Sequence, residues 1–272
     1  DQLKRGESDE RADLAMGAGV GHVLANTKMV ALDIVVPLYN EERSVESFHQ
    51  NLVRVTAPLA FDVTIYYVND GSTDATATVL GKIAGADSRV VVIELSRNFG
   101  HQAALSAGLD VTKGDVVITI DGDGQHPPEL IPEMLRLFEN GYDVVLTQRN
   151  DVRQPAFLKR STSAAFYWLL SRVSDTKIIP GSADYRLLSR GVVASLKEMA
   201  EYHRFLRGMV AWLGYRTVIL PYSEQPRIAG SSKYSLKKMI GLAMDAVFSF
   251  SLVPLRLGIA LGACFLLLAL FE

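Results

Sequence analysis

Cysteine is almost missing from this sequence. The single Cys264 leaves no partner for an intrachain disulfide and excludes a cysteine-based zinc site. It sits in an apolar run, where it serves as a small hydrophobe. Net charge is nearly missing too. Lys and Arg number 28 against 30 Asp and Glu, a balance of −2 that gives no reason to expect nucleic acid as a partner. No internal repeat or low-complexity tract is present, which sets repeat architectures aside. Residues 1–30 lack the apolar stretch and cleavage site of a signal peptide. Their Gly17-Ala-Gly19-Val-Gly21 run is not a dinucleotide fingerprint, because its third glycine comes one position early and no strand precedes it. Residues 1–30 therefore read as a flexible extension.

What is present is a large apolar complement. Of 272 residues, 49% are hydrophobic and 21% charged, enough to build a sizeable core in one large domain with an appendage. From Leu32 onward, short β-rich runs alternate with amphipathic stretches. The runs are Leu32–Val36, Val63–Val68, Val90–Leu95, Val116–Ile120 and Asp143–Thr147; the stretches lie near 44–56, 74–86, 101–112 and 128–139. Buried Val/Ile runs alternating with helices predict an α/β fold, a mostly parallel sheet with helices on both faces. Further along, 157–174 and 186–200 read as helices and Arg216–Tyr222 as a strand.

Each of the first five runs ends in polar residues: Pro37-Leu-Tyr39-Asn40-Glu41, Asn69-Asp70-Gly71-Ser72-Thr73-Asp74, Ser96-Arg97-Asn98, Asp121-Gly122-Asp123-Gly124-Gln125 and Gln148-Arg149. Ligands of open α/β sheets bind at the carboxyl ends of the strands, so one shared site is the economical reading. Asp121-x-Asp123 sets two carboxylates where one hard divalent cation can meet both and share substrate phosphates. A plain Asp-Gly turn is the other reading of those residues. A calcium loop is excluded, since Pro132 stands where its bidentate glutamate belongs. In the second segment, Asp70 can hold a base or ribose, while Ser72 or Asp74 caps the following helix. His101, His126 and His203 show no metal-ligand pattern and read as helix-end or packing residues.

The tail is different. Between His203 and Ile240, seven basic residues (Arg204, Arg207, Arg216, Arg227, Lys233, Lys237 and Lys238) face one acid, Glu224. Such a bias suits an anionic ligand or membrane surface. From Lys233 to Leu252 apolar residues recur at helical spacing, and Leu257–Phe271 carries no charge. A bilayer span takes ~20 apolar residues, so this stretch fits a truncated span, a tilted span or half of a hairpin.

These motifs, in this order and spacing, resemble the family 2 glycosyltransferases of the GT-A fold. The likeness runs from about Asp33 to Tyr234 and is nearest to the dolichol-phosphate mannose synthase group and the bacterial undecaprenyl-phosphate sugar transferases. It rests on Val36–Glu42, Asn69–Asp74, Ser96–Gly100, Asp121–Glu129, Ala183-Asp184-Tyr185-Arg186 and Arg227-x-x-Gly230-x-Ser232-Lys233-Tyr234. The resemblance implies that Pro37, Tyr39, Glu41 and Asp70 bind the nucleoside. Asp121 and Asp123 would serve Mg²⁺ or Mn²⁺ and the diphosphate, with Gln125 beside them. Arg149, Arg160, Arg204, Arg227 and Lys233 would contact donor or lipid phosphates, and Arg207 joins the acceptor side. Asp123, Asp184, Arg227 and Lys233 form the expected catalytic group; Asp184 either orients acceptor or sugar, or pairs with Arg186 or another arginine. Asn69 replaces a common aspartate, and Gly122 and Gly124 stand where bulkier residues are common.

The implied activity is inverting transfer of a hexose from a nucleotide-diphosphate sugar, UDP-glucose first and GDP-mannose next, to polyprenyl (undecaprenyl) phosphate. A processive polysaccharide synthase would carry a Gln-x-x-Arg-Trp signature, absent here. A non-catalytic nucleotide-sugar-binding membrane protein is opposed by the retained aspartates and basic positions. The expected organisation is an extension over 1–30, a catalytic domain over 31–232, amphipathic juxtamembrane helices over 233–255 and a transmembrane segment over 256–272. The expected partners are the nucleotide sugar, the lipid phosphate and the plasma membrane, with the catalytic domain cytoplasmic and room for a homo-oligomer.

Overall fold

The computed structural model describes residues 29–150, 182–199, 201, 204–223 and 253–271. Strand β1 (Val30–Leu38) leads to helix α1 (Val45–Thr56), β2 (Phe61–Asn69), α2 (Thr76–Ala86), β3 (Val90–Glu94), α3 (His101–Val111) and β4 (Val116–Thr119). A 3₁₀ turn at Pro128–Leu130 runs into α4 (Ile131–Glu139), followed by β5 (Val144–Arg149). Strand β6 (Ser182–Ser189), α5 (Arg190–Glu198), α6 (Leu206–Leu213), β7 (Thr217–Tyr222) and α7 (Val253–Phe271) complete the described elements.

The seven strands form one sheet in the order β3-β2-β1-β4-β6-β5-β7. All are parallel except β6, which runs antiparallel to both neighbours. Strand residues alternate between faces, so Leu32, Ile34 and Val36 join α1, α2 and α4 in one apolar layer. On the other face, Val35, Val117 and Val144 meet α3, α5 and α6. The expected helix-covered α/β sheet is what forms. Buried Asp33 accepts the Lys113 and Gly114 N–H groups, both at 2.7 Å, and so fixes the turn between α3 and β4. Pro37 stands two residues after Val35, whose carbonyl takes the Ile120 N–H. Its missing N–H therefore falls where β4 has already ended, and no ladder bond is lost.

One expectation needs correction. The stretch read as a helix from 186 begins as strand: 182–189 is β6, and the helix starts at Arg190. Its Ser182, Asp184 and Arg186 are buried polar residues, which hid the apolar signature of an interior strand. Helix α6 was not expected at all. As for the tail, every described side chain from Gly258 to Phe271 is exposed. That stretch alone is shorter than the ~20 residues a span needs, and among the described residues no helix is long and apolar enough to cross a membrane.

Candidate active site

The parallel strands deliver their carboxyl ends to one edge of the sheet, and antiparallel β6 delivers its amino end there. The first wall joins the ends of β1 and β2. The Asn40 N–H donates to Ser72 Oγ (2.9 Å) and the Thr73 N–H donates to Asn40 Oδ1 (2.8 Å). The Glu41 N–H donates to Thr76 Oγ1 (2.8 Å), and the Ala75 N–H to Glu42 Oε2 (2.9 Å). Asn40 adopts φ 54°, a left-handed conformation that asparagine tolerates better than most residues. Ser72 thus latches two loops together, and Asp74 joins it, accepting the Thr76 N–H (3.0 Å) at the start of α2 and the Glu42 N–H (3.3 Å) from the loop after β1. The Glu41 carboxylate accepts Ser44 Oγ–H at 2.5 Å, and Tyr39 is half-buried beside it in sequence.

Asp70 organises the next wall. It is buried, and its carboxylate accepts N–H groups from Phe99 (2.7 Å), Gly100 (2.9 Å) and the Asn98 side chain (2.9 Å). This brings the loop after β3 against the turn after β2. Gly71 (φ 62°) lies so close to the Arg97 main chain that any Cβ would collide with it. Asn69 donates to Glu94 Oε2 (2.6 Å) across the β2–β3 pair and accepts the Ser72 N–H (3.1 Å). An aspartate at 69 would set two carboxylates face to face, which accounts for the amide at this position. Gly122 has a packing cause as well, since a side chain there would strike Leu38.

The centre of the edge is a charged cluster. Asp121 follows β4, and Asp123 accepts the Gln125 N–H (3.0 Å) in the turn beyond it. Asp121 Oδ1 is buried with no hydrogen-bond partner among the described residues. Two imidazole nitrogens flank the carboxylate, His101 Nε2 at 3.5 Å from Oδ1 and His126 Nδ1 at 3.5 Å from Oδ2. His126 is otherwise a packing residue, stacked on Tyr185 and edge-on to Tyr222. Among the described residues no group of three or more His, Cys, Asp or Glu is arranged to hold a metal. An orphaned carboxylate oxygen beside a second aspartate fits a hard cation that takes its remaining ligands from substrate phosphates.

Asp184, at the amino end of β6, is the hub. Arg207 on α6 grips it with two prongs, Nη2 to Oδ2 at 2.7 Å and Nε to Oδ1 at 3.1 Å. Arg186 pairs with the same carboxylate, Gln102 Nε2 reaches it at 3.3 Å, and His101 Nε2 lies 3.5 Å away. Asp184 is thus a partner of Arg186 and Arg207. Burial opposes the charge, but Arg207 and Arg186 hold the Asp184 carboxyl well below the usual range. Asp184 is therefore a fixed anion and no proton acceptor near neutrality. Burial lowers the Arg186 pKa, against the pull of Asp184. Burial also opposes a charge on His101, yet Asp121 and Asp184 outweigh it and raise the imidazole to about 9.

The residues anticipated from sequence thus divide. Pro37, Tyr39, Glu41, Asp70, Asp121, Asp123, Gln125, Arg149, Asp184 and Arg207 lie on elements or loops at this one edge. Arg204 does not join them. It pairs with Asp110 (3.0 Å) at the far end of α3, about 13 Å along the helix from His101 at 1.5 Å per residue. Arg160, Arg227 and Lys233 fall outside the described residues. Sequence reading missed His101 and Gln102, whose only signal was their position directly after the Asn98-Phe99-Gly100 loop.

The model of "Glycosyl transferase family 2" matches residues 33–196. An uncharacterized glycosyltransferase of Synechocystis is 39% identical over 241 residues, 89% of this chain and 76% of the relative. A bactoprenol glucosyl transferase of Shigella phage SfX is 38% identical over 231 residues, 85% of this chain and 76% of the relative. Among solved structures, glucosyl-3-phosphoglycerate synthase of Mycobacterium tuberculosis, in complex with Mn²⁺, UDP and glucosyl-3-phosphoglycerate, has a similar fold. Its TM-score is 0.50 at 18% identity, over 80% of this chain and 77% of that one. With a family model spanning most of the sheet and relatives aligned over nearly the whole chain, the protein belongs to glycosyl transferase family 2.

Proposed function

We propose that this chain transfers glucose from UDP-glucose to a polyprenyl phosphate, with inversion at the anomeric carbon. The observation that carries the reading is the cluster at the sheet edge. An aspartate with an orphaned oxygen, Asp121, stands beside a buried anion, Asp184, that holds an arginine, Arg207, on the other side. One side suits a diphosphate with its cation and the other a phosphate. The relative named bactoprenol glucosyl transferase supplies the sugar and the lipid class.

A phosphate monoester is largely dianionic near neutrality, since its second pKa is about 6. Its oxygen attacks C1 of the glucosyl unit, the new C1–O bond forms as the bond to the UDP oxygen breaks, and UDP leaves with the electron pair. No proton has to move, which agrees with an Asp184 that is fixed as an anion. The task of the protein is to align two polyanions and offset their repulsion. In this reading Asp121 and Asp123 would hold Mg²⁺ or Mn²⁺, which would offset charge on the departing diphosphate. The loops latched at Asn40–Ser72 and Asp70–Gly100 would shape the nucleoside pocket with Pro37, Tyr39 and Glu41, and Arg149, at the end of β5, would meet the phosphates. Arg207, with Arg160, Arg227 and Lys233, would receive the lipid phosphate.

The same reading puts the protein at the cytoplasmic face of the plasma membrane. Its support is the exposed apolar surface of α7, where Phe265, Leu267 and Phe271 are 69%, 67% and 96% exposed, together with the basic bias of 204–238. The span over 256–272 and the juxtamembrane helices over 233–255 belong to this proposal. The test is a panel of nucleotide sugars with undecaprenyl phosphate and Mg²⁺ or Mn²⁺, read out as glycolipid. Glucolipid from UDP-glucose supports the reading; a panel that yields none from any sugar overturns it.

A further inference from the structure

Resting on that donor and acceptor assignment, we propose that His101 is a positioning residue that couples the donor-side aspartate to the acceptor-side arginine. A single imidazole nitrogen, Nε2, lies 3.5 Å from Asp121 Oδ1 and 3.5 Å from Asp184 Oδ2. One N–H serves one oxygen well at a time, and from its place between them it can turn to either carboxylate. Beyond Asp184 the chain of contacts continues without a gap. Oδ2, the oxygen that faces His101, is the oxygen that accepts Arg207 Nη2 at 2.7 Å. Gln102 ties the arrangement to the backbone, giving its Nε2 to Asp184 Oδ2 (3.3 Å) and taking the Leu206 N–H on Oε1 (3.2 Å). Helix α6, which carries Arg207, is thereby registered to the first turn of α3, which carries His101.

The consequence is reciprocal. Whatever engages Asp121 competes for the shared N–H and shifts it toward Asp184, which changes how tightly Arg207 is held. Whatever draws Arg207 off Asp184 frees Oδ2 to take the imidazole away from Asp121. Coupling of this kind must act equally in both directions. The donor site and the arginine of the acceptor site are thus linked through one side chain that touches neither reacting atom.

The test is a double-mutant cycle read by calorimetry, with Mn²⁺·UDP as the probe and no transfer reaction needed. In the wild-type background, Arg207→Gln is expected to change Mn²⁺·UDP affinity at least threefold. In the His101→Ala background the same substitution is expected to change it less than 1.5-fold, and His101→Lys, which restores a donor of similar reach, is expected to restore the dependence. Melting temperatures of all variants identify any that fail to fold, and Arg207→Lys replaces Arg207→Gln in that case. An equal effect of the Arg207 substitution with and without His101 overturns the inference, as does no effect in either background. Binding of Mn²⁺·UDP by the wild type with no coupling sinks the inference alone. A wild type that binds no Mn²⁺·UDP sinks the donor assignment and this inference with it.

Discussion

Arg207 on α6 closes a two-pronged ion pair on Asp184 at the amino end of β6, with contacts of 2.7 and 3.1 Å. A planar guanidinium matched to a carboxylate fixes direction as well as distance. Arg186, Gln102 and His101 converge on the same buried group, so four cations or donors surround one carboxylate. Asp184→Asn is therefore expected to leave buried Arg186 without its counter-ion. Removing one partner of a buried pair costs roughly 3–5 kcal/mol. Urea denaturation should show a loss of that size, with glucolipid synthesis reduced beyond what the remaining folded fraction explains. An unchanged midpoint would mean that the cluster is solvated.

Asp123 and Asp121 make a separate case. Asp123→Asn is expected to abolish transfer while leaving the melting temperature within a degree or two, since asparagine keeps an Oδ1 that can accept the Gln125 N–H. Chelation with EDTA should silence the wild type, and added Mn²⁺ should restore it. Full activity in EDTA would reduce the two aspartates to turn residues.

Asn69 and Glu94 lie opposite one another in the β2–β3 ladder. Asn69→Asp places like charges at hydrogen-bond distance and raises the pKa of the pair. Groups with raised folded-state pKa values contribute stability at low pH and lose it as pH rises through those values. The variant should match the wild type near pH 4 and fall behind by about 1 kcal/mol at pH 7, the scale of one pKa unit. Denaturation at the two pH values decides; an equal deficit at both would point to lost hydrogen bonding instead.

Asp87 offers the opposite sign. The Arg89 side-chain hydrogen bond, at 2.7 Å, lowers its carboxyl from 3.8 to about 2. A depressed carboxyl stabilises the fold above its unfolded value and loses that contribution as pH falls from 3.8 toward 2. Asp87→Asn should flatten this part of the acid-unfolding curve. If the wild type and the variant keep the same difference from pH 5 to pH 2, the Asp87–Arg89 pair makes no pH-dependent contribution.

Removing everything after Tyr234 tests the anchoring proposal. The truncated chain is expected in the soluble fraction after a salt wash, while the full chain pellets with membranes. Pelleting of both would place the anchor elsewhere.

Much of this architecture can be read from residues alone, and the failures have physical reasons. Strands β1, β4 and β5 are buried on both faces along most of their length, so their Val/Ile runs announce themselves. Strand β6 is equally buried, but Asp184 and Arg186 occupy interior positions as a compensated pair, and the hydrophobic signal disappears. The loops Pro37–Glu41, Asn69–Asp74 and Asp121–Gln125 were legible because turns and caps demand particular residue types at fixed spacing. His101 was not, because its meaning depends on Asp121 and Asp184 approaching from other strands. Arg204 misled for a related reason. It neighbours Arg207 in the chain, yet Arg207 lies in the first turn of α6 while Arg204, before the helix, turns back toward Asp110.

The antiparallel placement of β6 carries an evolutionary corollary. Strands β1 to β4 build a contiguous parallel unit from residues 30 to 119, and it meets the later strands along one ladder, Val116–Thr119 against Ser189–Arg186. Four rungs form a short seam. A gene segment encoding a different β5–β7 block with a compatible edge strand could be spliced onto the same first half. The loops after β1, β2 and β3 would be inherited intact, while Asp184, Arg207 and whatever they receive would arrive with the new segment. Divergence in what such enzymes glycosylate can thus proceed by exchange downstream of the Asp121–Gln125 loop, provided the incoming segment keeps the contacts of His101 and Gln102 with Asp184.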